Sequence, residues 1–151
     1  MAILAESLVE EWLNREKFFT VRGVKHGVGE IDLLAIRHEA EAPVTGWHVE
    51  VQASFRPIGY IAKLTDEMAR ASNKVRTSAV ARTPEQIEIC ARDWVWSKFK
   101  TPHKAKARER FWPNVEWSYH LVHAVVREQR ELEVFKQEGV TCHPFRDLLR
   151  K

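Results

Sequence analysis

Two short stretches of sequence decide the fold: GEIDLLAI at residues 29–36 and WHVEVQA at residues 47–53. Each stretch places a carboxylate inside a run of residues that favours a buried β-strand. A lone carboxylate is costly to bury, so it is usually neutralised or paired. Two such carboxylates on neighbouring strands predict a shared partner, and a divalent metal ion is the simplest one.

Strand alternation indicates which of these side chains share a face. Along a strand, residues two apart point the same way, so Glu30 and Asp32 share one face, as do Glu50 and Gln52. If the strands pair, Asp32 and Glu50 converge at one end of a sheet. With the Val51 carbonyl and water, they form the oxygen set that Mg²⁺ prefers. The alternative is a surface sheet in which Glu50 and Gln52 face solvent.

The rest of the chain predicts further helices and strands around these two stretches. Hydrophobic spacing and turn residues predict helices at 2–17, 65–81, 84–99, 102–110 and 128–138, a helical turn at 145–149, and strands at 18–24, 29–37, 47–53, 115–126 and 140–143. Residues 54–63 predict a loop. We find no repeat or linker, so we expect one domain spanning residues 1–151.

Charge is distributed unevenly along the chain. Residues 1–73 carry 8 Lys or Arg against 11 Asp or Glu, whereas residues 74–110 carry 10 against 4. The acids therefore concentrate around the two strands and the bases follow them. This is the pattern expected of an acidic metal site beside a phosphate-binding surface.

The basic segment is a candidate nucleic-acid-binding element. Its cations are Lys98, Lys100, Lys104, Lys106, Arg108 and Arg110. In a helix beginning at residue 102, positions 104 and 108 share a face, as do 106 and 110, and such stripes suit phosphate contacts. A helix face that is merely solvated is the alternative.

Cysteine usage and hydropathy limit the cellular setting. Cys90 and Cys142 form no disulfide framework and no zinc-binding spacing, which indicates two reduced thiols. No run of residues approaches the ~20 apolar residues of a membrane helix. The N-terminal residues lack the pattern of a signal peptide, so we expect a cytoplasmic protein without a membrane partner.

The two acidic stretches resemble the PD-(D/E)XK nuclease superfamily, which includes restriction endonucleases and Holliday-junction resolvases. Residues 29–35 resemble its Asp-bearing strand, residues 47–52 its Glu-x-Lys strand, and Glu6 the glutamate of its first helix. The resemblance implies an α/β fold with an αβββαβ core, a mixed central sheet flanked by helices, and a helical insertion after the third strand. It also implies catalytic Glu6, Asp32, Glu50 and Gln52, with metal held by Asp32, Glu50 and Val51.

The main departure from that family pattern is Gln52, which stands where most members have a lysine. A lysine can lower the pKa of an attacking water and stabilise charge, whereas glutamine only hydrogen-bonds and orients. Lys63 and Lys74 are candidates to supply the missing cation. Glu10, one turn after Glu6, is the alternative helix carboxylate.

Three functions follow as hypotheses. The first is an endonuclease that hydrolyses DNA phosphodiester bonds with Mg²⁺, or with Mn²⁺, and that forms a homodimer to reach both strands. The second is an inactive nuclease-fold protein that binds nucleic acid, which Gln52 favours. The third is a protein-interaction module whose many aromatic residues lie at a subunit interface.

Overall fold

The two acidic stretches form neighbouring strands of a five-stranded sheet in a computed structural model of the chain. The structure describes residues 2–27, 29–53 and 59–150, so residues 54–58 of the predicted loop lie outside it. The strands are β1 (Phe19–His26), β2 (Gly29–Arg37), β3 (Thr45–Gln52), β4 (Trp117–His123) and β5 (Val140–Pro144). The helices are α1 (Ala2–Arg15), α2 (Asp66–Ser72), α3 (Pro84–Val95), a π-helical segment (Trp96–Lys100), α4 (Pro102–Phe111), α5 (Gln129–Gln137) and α6 (Phe145–Leu148).

The sheet is mixed, with strand order β1-β2-β3-β4-β5. The pairs β1–β2 and β2–β3 are antiparallel, and the pairs β3–β4 and β4–β5 are parallel. A parallel pair requires a long crossover. Between β3 and β4 that crossover contains α2, α3, the π-helical segment and α4. The predicted α/β class, with a mixed sheet flanked by helices and a helical insertion after the third strand, is confirmed.

Helix α1 covers one face of the sheet. Its apolar residues Val9 and Leu13 are fully buried against Leu33, Ala35 and Val49 of the sheet. Their spacing of four residues places them on one side of the helix, as the sequence pattern predicted. The short helix α6 contributes Phe145 to the same cluster.

The opposite face of the sheet is covered by α3, the π-helical segment and α5. Phe99 and Phe135 lie there and are the largest of the described side chains that are completely buried. Helix α3 begins with a capping box, in which the side chains of Thr83 and Gln86 each accept from the other's backbone N–H. None of the described helices is long and apolar enough to span a membrane.

Two helices differ from the sequence prediction near their C-terminal ends. The helix predicted at 65–81 ends at Ser72, because Asn73 adopts a left-handed conformation (φ 53°) and its N–H satisfies the last helical carbonyls. The helix predicted at 84–99 is α-helical only to Val95 and then widens into the π-helical segment. Such a local widening shifts the direction of every side chain that follows.

A buried carboxylate connects α5 to the chain that follows β3. The side chain of Glu131 accepts the backbone N–H of Ile61 at 2.9 Å and that of Ala62 at 2.8 Å. Burial raises the pKa of Glu131, and the two N–H donors oppose that shift. This contact fixes the start of the insertion on the sheet.

We expect Glu131→Ala to lower the free energy of unfolding by about 3 kcal/mol, because it leaves two buried N–H donors unpaired. Urea denaturation measures this loss. Glu133→Ala, on the exposed side of the same helix, is the control and changes stability by less than about 0.5 kcal/mol. Equal effects of the two substitutions would contradict the bracing role of Glu131.

Candidate active site

Asp32 and Glu50 lie side by side where β2 and β3 separate. The last paired residues of the two strands are Leu33 and Val49, so Asp32 and Glu50 occupy the next position on each strand. Asp32 Oδ2 accepts the backbone N–H of Val51 at 2.8 Å. The carboxylate of Asp32 thus replaces the backbone acceptor that a continued ladder would have provided.

Both carboxyl groups are costly to ionise, and burial is the largest cause for each. The pKa of Asp32 is raised to about 7, first by burial and then by the charge of Glu50 and a proton shared with it. The pKa of Glu50 is also raised, and burial is the cause. Without a cation, the pair therefore retains a proton at neutral pH.

Glu50 is fully buried, and its two carboxylate oxygens differ in their hydrogen-bond partners. Oε1 lies 3.0 Å from His48 Nε2 and 3.5 Å from Lys104 Nζ. Oε2 is buried and, when both acids are ionised, has no hydrogen-bond partner among the described residues. A bound cation would satisfy this oxygen.

The donor set fits a hard divalent cation. The described residues contain no group of three or more His, Cys, Asp or Glu side chains placed to hold a metal ion. Magnesium does not require such a group, since it binds through one or two carboxylates and keeps several waters. Asp32, Glu50 and the carbonyl of Val51 are the residues that would hold it.

A hydrogen bond from the His48 ring holds the carboxylate of Glu50 in position. Arg108 Nη1 donates to His48 Nδ1 at 2.9 Å and to the Phe99 carbonyl at 2.7 Å. Because arginine can only donate, Nδ1 carries no proton, and neutral His48 donates from Nε2 to Glu50. The pKa of His48 is well below its usual value because of burial and the charges of Arg108 and Lys104.

Two lysines from the helical insertion face the carboxylates. The ammonium of Lys98, in the π-helical segment, lowers the pKa of both Asp32 and Glu50. Lys104 is buried beside Glu50, and its Nζ also donates to the Glu30 carbonyl at 3.4 Å. Gln52 lies two residues beyond Glu50 on the same face of β3. Strand β3 itself lacks a lysine, but two lysines from a later part of the chain act on its carboxylate.

The lysines proposed from sequence are not these two. Lys63 and Lys74 are both exposed, and neither is among the charges that shift the pKa of Asp32 or Glu50. Residues 98 and 104 follow β3 by about 50 positions, so only the return of the insertion over the sheet brings them to the carboxylates.

Glu6 lies near the carboxylate pair, as the sequence predicted. Burial and the charges of Asp32 and Glu30 raise its pKa, and the charge of Arg22 opposes them. Its alternative, Glu10, instead accepts from the Thr20 hydroxyl at 2.9 Å. Glu10 therefore joins α1 to β1, and the pKa of Glu6 responds to the charge of Asp32.

The predicted basic surface is split in two by the fold. Lys104 and Arg108 are buried against the sheet, so the expectation that they line an exposed phosphate-binding face is wrong for this pair. Lys106 and Arg110 are exposed. Lys100 lies 3.4 Å from Glu138 in an ion pair. A helix that packs on a sheet must direct one stripe inward, and here that stripe is the one at 104 and 108.

The comparisons with known proteins show the fold alone. No protein-family profile matches the chain, and no curated protein matches it either. The crystal structure of a protein of unknown function, AF1548, is similar to this chain with a TM-score of 0.52 and 11% sequence identity. The similarity covers 95% of this chain and 58% of that one, so the chain spans little more than half of the length of that protein.

We expect the contribution of Asp32 to the stability of the metal-free protein to fall as pH rises from about 4 to 7. In that window native Asp32, with a pKa of about 7, keeps a proton that the unfolded chain has released. Asp32→Asn removes this titration, so at about pH 8 in EDTA the variant is more stable than the wild type by about 2 kcal/mol. Denaturant unfolding across the pH range measures the difference.

The control for this titration is Asp93→Asn, which removes an exposed carboxylate from α3. Its stability should follow the wild-type pH profile. Parallel profiles for the wild type and Asp32→Asn would show that Asp32 does not carry the retained proton.

Proposed function

We propose that this chain is a metal-dependent endonuclease that hydrolyses DNA phosphodiester bonds with Mg²⁺ or Mn²⁺. The observation that carries the proposal is the pair of half-buried Asp32 and fully buried Glu50. Oε2 of ionised Glu50 has no hydrogen-bond partner among the described residues, Lys104 lies 3.5 Å from Oε1, and the charge of Lys98 lowers the pKa of both acids. A buried acidic pair costs stability unless a cation binds it, so such a pair is characteristic of a functional site.

The element order supports the resemblance to the PD-(D/E)XK superfamily proposed from sequence. A helix, three antiparallel strands, a helical crossover, a parallel strand, a further helix and a second parallel strand follow one another along the chain. The acidic residues lie on the second and third strands, where the resemblance expects them. Assignment to that superfamily remains our proposal.

The residues of the site would divide the work as follows. Asp32, Glu50 and the Val51 carbonyl hold the cation, which when bound polarises the phosphodiester and lowers the pKa of water. Lys98 stabilises negative charge as it develops on the phosphate, and Gln52 orients the attacking water by hydrogen bonding. His48 keeps Glu50 in place throughout.

We expect Asp32→Asn and Glu50→Gln each to lower the cleavage rate by at least about 100-fold, because each removes a charged metal ligand. Plasmid, single-stranded and branched DNA incubated with Mg²⁺ or Mn²⁺ provide the assay, and calorimetric titration with Mn²⁺ reports ion binding. Asp93→Asn is the control and retains both activities. Cleavage that survives both substitutions unchanged would overturn the proposed function.

We expect Lys98→Gln to lower kcat by about 100-fold with little change in KM, since its charge is needed when the phosphate gains charge. Lys100→Gln, two residues away and paired with Glu138, is the matched control and leaves kcat unchanged. Adding Gln52→Lys to Lys98→Gln should restore part of the rate. A normal kcat for Lys98→Gln would place the catalytic cation elsewhere.

A second candidate is a protein of the same fold that binds DNA without cutting it. Gln52 favours this function, because a glutamine cannot supply charge from the strand itself. It predicts salt-dependent DNA binding and no cleavage with any metal. A cytoplasmic location and a homodimer that reaches both strands are further parts of the proposal.

A further inference from the structure

We propose that the cleft between the β1–β2 hairpin and α4 binds the sugar-phosphate backbone of DNA. This inference rests on the proposed function for its ligand, but it concerns a surface separate from the carboxylate pair. The cleft has a volume of about 550 Å³.

One wall of the cleft is a single stripe of α4. His103, Lys106, Ala107 and Arg110 line it, at the spacing of three and four residues that defines one helical face. Ala107 is buried against the sheet, whereas the three polar side chains are exposed. The helix therefore presents cations to the cleft along about two turns.

The other wall is strand β1. Lys25 and His26 line the cleft from the end of this strand, with Val21 and Val24 before them. The ring of His26 lies over Gly29, where an added Cβ would come within 2.4 Å of His26 Cε1. A glycine at position 29 is thus required for the ring to occupy this wall.

The cleft is cationic on both walls. Lys25, Lys106 and Arg110 are permanently charged, and none of them forms an ion pair with a described residue. No Asp or Glu is among the described residues that line it. Uncompensated like charges on facing walls repel one another, so an anionic ligand would stabilise this arrangement.

The composition of the cleft favours a polymer backbone over a small anion. Its cations come from two elements, and apolar Val24 and Phe111 line the same cleft. Deoxyribose rings would contact the apolar residues while successive phosphates contact the cations. A single phosphate would leave most of these groups unused.

The cleft is coupled to the carboxylate pair through α4. Lys104 follows His103 directly, and its Nζ reaches the Glu30 carbonyl and Glu50. Burial lowers the pKa of His26 on the facing wall, and the charges of Lys104 and His103 lower it further. One helix therefore carries both the cation stripe of the cleft and the lysine that contacts Glu50.

The test measures DNA binding in EDTA, where no cleavage interferes. Fluorescence anisotropy of a labelled duplex with the full chain follows affinity as salt is varied. We expect Lys106→Gln/Arg110→Gln to weaken binding at least about 10-fold and to reduce the salt-dependence slope by roughly 2, one for each lost phosphate contact. Added inorganic phosphate at the same ionic strength should not displace the duplex.

Arg130→Gln/Lys136→Gln is the matched control, because it removes one arginine and one lysine from exposed positions on α5. That helix packs on β5, at the edge of the sheet opposite β1. We expect this variant to bind as the wild type does. Equal losses in the two double variants would show binding by net charge alone and would overturn the cleft, as would displacement of the duplex by phosphate.

The outcomes separate this inference from the proposed function. Binding that depends on the cleft, with no cleavage under any metal, retains the cleft and rejects the nuclease. Metal-dependent cleavage with unchanged affinity in Lys106→Gln/Arg110→Gln retains the nuclease and rejects the cleft. Absence of DNA binding by the wild type at low salt also rejects the cleft.

Discussion

The contact between Asp32 and Glu50 is the constraint on which the rest of the site depends. The two acids occupy the first position beyond the last β2–β3 pair, Leu33 and Val49. Their burial raises both pKa values, so neither can be fully ionised without help. The hydrogen bond of His48 and the positive charge of Lys104 partly offset the cost of ionising Glu50.

The helical insertion between β3 and β4 supplies this compensation. Its π-helical segment directs Lys98 toward the acids while Phe99 anchors the same turn in the core. Arg108 then ties α4 to that turn by donating to the Phe99 carbonyl, and to the sheet by donating to His48. Core packing and site geometry are therefore one connected set of contacts. A substitution at Arg108 would disturb both, even though its side chain does not touch the carboxylates.

The sequence predicted much of this architecture because local patterns dominate it. The order of the helices and strands, the capping box at Thr83, and the acidic strands all follow from short-range rules that the structure obeys. The ends of α2 and α3 were not predictable in the same way. Asn73 in a left-handed conformation and the π-helical widening after Val95 are set by how the insertion meets the sheet, and propensity is only a weak guide there.

The sequence by itself determined which groups are available: two strand carboxylates, a helix glutamate, a glutamine in place of a lysine, and a basic segment. Only the tertiary structure decided which cations reach the acids. Lys98 and Lys104 lie about 50 residues after β3, and the chain must fold back before their charges act on Asp32 and Glu50. The same packing buries one stripe of α4 and leaves the other facing Lys25 and His26 across the cleft. Electrostatic coupling depends on distance in space, and distance along the chain does not predict it.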